Sequence, residues 1–135
     1  MKNKSEGFTL IELVIALVIV GVLVAVAVPY YKNKVMETRR TDGKAILLEI
    51  MAAEERFFTI NNTYTTNLVA GGLGMTDAGA GSVASESGYY WVSAAACGTG
   101  IGACVILTAT AQGVQVSDGN LTLNSLGNKT PTSAW

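Results

Sequence analysis

The sequence predicts an α+β fold: one long N-terminal helix packed on an antiparallel meander of three to four strands. Three observations point there. The run Leu13–Val28 carries no charged or strongly polar side chain, which suits a helix in an apolar surrounding. From Tyr31 to about Asn61, apolar residues recur at helical spacing. Beyond Tyr89, short β-prone runs alternate with turn residues.

The first half of the helix reads as a membrane span. Leu13 to Tyr31 is nineteen residues, or roughly 28 Å at ~1.5 Å per residue, about the thickness of bilayer hydrocarbon. Lys2 and Lys4 precede it, so the positive-inside rule places the N-terminus in the cytoplasm and exports the rest. A cleaved secretory signal needs a small-residue site after the apolar run. Here the run passes through Pro29-Tyr30-Tyr31 into a charged stretch. A plain anchor is the simpler alternative. Glu12 weighs against it, because a carboxylate near hydrocarbon costs about 2.5–3.5 kcal/mol and asks for a partner.

Gly7-Phe8-Thr9-Leu10-Ile11-Glu12-Leu13, with a short leader before it and an apolar run behind it, resembles the processing motif of type IV pilins and pseudopilins. The resemblance implies the type IV pilin fold, with a membrane-spanning half and an amphipathic half of the helix. It implies cleavage between Gly7 and Phe8 by a prepilin peptidase, N-methylation of Phe8, and an assembly role for Glu12. It also implies a helix break over Gly21–Val28 in the filament, since Gly21 and Pro29 stand where short-leader members carry them. The physics agrees. Cleavage leaves a cationic amine on Phe8, and Glu12 of one subunit can pair with that amine on its neighbour, offsetting the burial of both charges and fixing register. Pro29 removes a backbone donor, so a kink or local break is expected there.

The domains follow as leader 1–7, transmembrane and filament-core helix 8–31, amphipathic half 32–61, loop 62–88 and sheet 89–135. In the amphipathic half, Ile46, Ile50, Ala53, Phe57 and Ile60 make one face, widened by Leu47, Met51 and Phe58. Gly43 reads as a soft point. The loop is rich in Gly, Ala, Ser and Thr, without periodicity. Tyr89–Ala96, Cys104–Ala111 and Asn120–Asn124 read as strands, the last after a turn at Asp118-Gly119. Val92, Val105, Leu107, Leu121 and Leu123 would form the sheet's apolar face and cover the helix stripe.

Cys97 and Cys104 fall in the exported part, where a disulfide is the expected state, stapling the turn between the first two strands; two buried thiols are the alternative. Cys-x6-Cys without histidine makes no ordinary zinc site. Further patches, Ala53–Phe58, Asn62–Thr65, Leu107–Thr110, Leu121–Gly127 and a closing Trp135, resemble minor pilins of the PilE/ComP-like group.

The resemblance implies a filament subunit, a minor one, for twitching motility, adhesion or DNA uptake. Its partners are other pilin subunits, the peptidase, the inner membrane and its pilus assembly machinery. It starts as an inner-membrane precursor and ends in an extracellular pilus. Catalysis finds no support: histidine is absent, and the glycines from Gly71 to Gly81 lack the strand–helix context of a nucleotide loop. No cofactor or metal is expected. Asp118, Asn120 and Asn124 are thin material for calcium. DNA is disfavoured as a direct ligand, because from Phe57 to Trp135 the one basic residue, Lys129, faces Asp77, Glu86 and Asp118. A type II secretion pseudopilin, which shares the N-terminal motif, and a DNA-receptor minor pilin for competence remain the alternatives.

Overall fold

The computed structural model describes Gly7–Trp135; residues 1–6, with Lys2 and Lys4 of the expected leader, lie outside it. The chain divides after Val35 into a stem and a head. Helix α1 runs Leu10–Asn61, 52 residues. Its stem portion is a bare apolar rod. From Leu13 to Val28 the large side chains are 44–70% exposed, and mean hydropathy over an 18-residue window reaches 3.1.

No local break interrupts α1 in the isolated subunit: it runs as one helix through Gly21 and Pro29. One missing N–H removes one bond from a ladder that continues on both sides, and the neighbouring turns hold the backbone.

The head carries one five-stranded antiparallel sheet in sequential order: β1 Val83–Ala84, β2 Tyr90–Ala96, β3 Val105–Ala111, β4 Leu121–Asn124 and β5 Lys129–Thr130. The three central strands stand where the sequence puts them. Two more strands correct the expected three to four. β1 lies within the expected loop, and β5 follows β4 across a tight turn. Each has two residues, too few for the alternation that marks a strand. Two 3-10 turns, Gly113–Asp118 and Thr132–Ala134, complete the head.

Alternation decides which sheet face is buried. Val92, Val105, Leu107, Leu121 and Leu123, the expected apolar face, are all at most 3% exposed. Leu107 pairs with Leu123, and Val92 with Ala109. They share one core with Leu47 and Ile50 of α1.

The buried stripe of α1 is Gly43, Leu47, Ile50 and Glu54, turned by about one residue from the expected Ile46–Ile60 face. Ile46, Met51 and Phe58 flank the core, while Ile60 is 80% exposed. A close approach sets this rotation. A Cβ on Gly43 would lie 2.7 Å from Cδ2 of the buried Tyr90 ring. Gly43 is therefore the notch that lets β2 reach the helix.

The 62–88 segment is anchored as well as connecting. Leu68 is fully buried, and Val69, Leu73 and Met75 pack on the core. Its backbone closes tightly on itself, since a Cβ on Gly72 would lie 1.8 Å from the carbonyl oxygen of Asn67.

Candidate processing and assembly site

Gly7, Phe8 and Thr9 precede the helix, and with Glu12 they line one shallow concavity. Thr9 is the N-cap: its Oγ1 accepts the Glu12 N–H at 3.3 Å, and its carbonyl accepts the Leu13 N–H at 3.2 Å. Glu12 stands in the first turn, where the helix dipole favours a negative charge. Phe8 is 84% exposed. A Cβ on Gly21 would meet nothing within 4 Å, so this glycine serves no close approach inside the subunit.

Cys97 and Cys104 are disulfide-bonded, with Cα atoms 5.3 Å apart, across the β2–β3 turn. The bridge borders the start of the 62–88 segment, because Tyr64 N–H donates to the Ile101 carbonyl within that turn. Tyr64 also stacks on Phe58, with ring centroids 4.6 Å apart, and donates through Oη to Glu55.

Beside Tyr64, Glu54 is fully buried. One oxygen accepts the Thr65 N–H at 3.1 Å, and no hydrogen-bond partner reaches Oε1 among the described residues. Burial pushes its carboxyl above the ordinary range, the Thr65 amide works against that, and the charge of Glu55 adds to it.

At the other end of the head a polar network fastens the first 3-10 turn to α1. Arg40 grips Asp118 with two hydrogen bonds, Nε to Oδ2 at 2.7 Å and Nη2 to Oδ1. Tyr90 Oη donates to Asp118, and Gln115 Nε2 reaches Asp118, Tyr90 Oη and the Met36 carbonyl. The Arg40 hydrogen bond holds the Asp118 carboxyl below the usual range against the opposing effect of burial, and the same bond raises Arg40. Asp42 caps the Ser87 corner through Ser87 N–H and hydroxyl. Burial there would raise its pKa, but those bonds leave it lowered.

Three of the head's cations meet aromatic rings. Lys44 Nζ lies 6.0 Å, and Lys129 Nζ 4.6 Å, from the Trp135 ring centroid, and the Arg39 guanidinium lies 3.8 Å from that of Tyr89. Sequence reasoning missed this grouping, because Lys44 and Lys129 are far apart in the chain. It also passed over Thr9, although Thr9-x-x-Glu12 has the spacing of a capping box.

Comparison with known proteins agrees with this architecture. The family model described as "Type IV minor pilin ComP, DNA uptake sequence receptor" matches residues 29–122, and the prokaryotic N-terminal methylation motif matches residues 2–28. The type IV major fimbrial protein FimA of Dichelobacter nodosus is 31% identical over 110 residues, covering 80% of this chain and 69% of that protein. The type IV major pilin protein PilA of Myxococcus xanthus is 32% identical over 62 residues, covering 46% and 28%. A type IV pilin structure from Shewanella oneidensis superposes with a TM-score of 0.54 at 22% identity, covering 74% of this chain and 97% of that one. With an N-terminal methylation motif on a bare apolar helix and a minor-pilin match over the head, the chain belongs to the type IV pilin family, in its ComP minor-pilin branch.

Proposed function

We propose that this subunit is cut between Gly7 and Phe8, methylated on Phe8, and assembled into a pilus by packing its stem against the stems of other subunits. The observation that carries the reading is the stem itself: an apolar surface exposed along its length, with one carboxylate, Glu12, among its described residues. Such a surface needs lipid or other stems around it. Before assembly the stem spans the inner membrane with its N-terminus in the cytoplasm; afterwards it lies in the core of an extracellular fibre. The peptidase and the inner-membrane assembly machinery are the partners for that transfer. The work is mechanical and structural, without catalysis. Within the fibre, Gly21–Val28 gives up helical order.

Glu12→Val tests the reading. Membrane insertion stays at the wild-type level, while the subunit's share of sheared filaments falls at least tenfold. Equal incorporation of the variant would reject the role of Glu12. Mass spectrometry of sheared filaments reads the methyl-Phe8 terminus directly.

A second reading, contact with DNA, is favoured by one observation beyond the family description: Lys44 and Lys129 converge on Trp135. A ring flanked by two ammonium groups suits stacking plus phosphate contact. The acidic balance of the head opposes it. Gel shift of the detergent-solubilised chain at low salt decides: salt-sensitive binding weakened by Lys129→Ala and Trp135→Ala supports contact, and no shift rejects it.

A further inference from the structure

The helix starts two residues past the Gly7–Phe8 bond, and Thr9 puts the start there. Thr9 Oγ1 satisfies the Glu12 amide, one of the donors left open in a first turn, while its carbonyl opens the regular ladder at Leu13. A residue in this position holds extended dihedrals. Gly7 and Phe8 lie outside the helix, and Phe8 has 84% of its surface free.

This geometry matters for a cut between residues 7 and 8. Backbone is cleaved most readily where it is exposed and not committed to helical hydrogen bonds. In the sequence, Ser5 is the nearest upstream residue with a capping side chain. A helix begun from Ser5 would take Gly7 and Phe8 into its first turn.

We propose that Thr9 is a positioning residue for maturation: its cap halts the helix so that the Gly7–Phe8 peptide is presented extended to a membrane-embedded endopeptidase. The proposal rests on the cleavage reading above and adds a residue that is not itself part of the broken bond.

The test follows cleavage of the full-length precursor in proteoliposomes containing the peptidase, by mass spectrometry over time. Thr9→Ala removes the cap, Thr9→Ser keeps the hydroxyl, and Thr9→Asn keeps a capping oxygen on a differently shaped side chain. Cleavage of the alanine variant is expected to slow roughly fivefold, in line with the loss of one cap, while serine and asparagine stay near wild type. The Phe8 backbone carbon shifts in micelles should move toward helical values in the alanine variant alone. Wild-type cleavage of Thr9→Ala overturns the proposal. So does equal slowing of the asparagine variant, which would mean that the peptidase reads the threonine side chain itself. Failure of the wild-type chain to be cut after Gly7 rejects the underlying cleavage reading; normal wild-type cleavage with a flat Thr9 series rejects the capping role alone.

Discussion

At Gly43 two preferences oppose each other. Alanine in a helix interior is better than glycine by about 1 kcal/mol. Its Cβ, however, would stand 2.7 Å from a ring atom of Tyr90, a fully buried side chain with little freedom to retreat. Overpacking of this kind costs about 1–3 kcal/mol, so Gly43→Ala is expected to lower the urea midpoint of the head despite the gain in propensity.

Glu54 and Asp118 give the head opposite responses to pH. Asp118 has a lowered pKa, so its contribution is present above the ordinary value of 3.8 and is lost as pH falls through its folded value. Glu54 has a raised pKa, so its contribution is complete below the ordinary value of 4.5 and is lost as pH rises through its folded value. Urea midpoints across pH should therefore decline on the acid side in a way Asp118→Asn reduces, with Asp42 supplying the rest, and decline above pH 4.5 in a way Glu54→Gln removes. A Glu54→Gln profile that matches wild type would exclude Glu54 as the source.

Among the elements, the β2–β3 hairpin is the one cross-linked by a disulfide. Closing its eight-residue loop, Cys97–Cys104, restricts the unfolded chain by about 2–3 kcal/mol. The paired change Cys97→Ser and Cys104→Ser should lower head stability by that amount in thermal unfolding. Loss of the Tyr64–Ile101 bond should follow, detected as faster amide exchange at Tyr64.

What the sequence made legible at this scale was whatever is local. The stem announces itself by its unbroken apolar length, the amphipathic helix by its period, the three strands by β-prone runs between turns, and the processing motif by its local order. The rest depends on distant partners. Two-residue strands have no period to read. The notch at Gly43 requires Tyr90, and the grouping around Trp135 requires Lys44 and Lys129 from opposite ends of the head. The burial of Glu54 depends on Thr65 folding back over the helix. A carboxylate in the apolar stripe contradicts the simple rule that charged residues lie outside.

The molecule as a whole has two solvents. Its stem is apolar on every side from Leu13 to Val28, whereas its head closes its own core, so the two parts should separate experimentally. A chain beginning at Met36 is expected to be monomeric and soluble, with the cooperative unfolding of an intact core, and the full chain to require detergent. Sedimentation of both checks this. Aggregation of the Met36–Trp135 form would mean that the head's surface also depends on a cover.

The sheet's order has a consequence for how the head is made. Every strand pairs with the one before it in the chain, with no crossover. A polypeptide emerging N-terminus first can therefore zip up one hairpin at a time, with short loops to close and no need to wait for a remote segment. Only the helix must wait. Leu47 and Ile50 stay partly wet until Leu121 and Leu123 arrive, so the fourth strand completes a surface that the helix laid down.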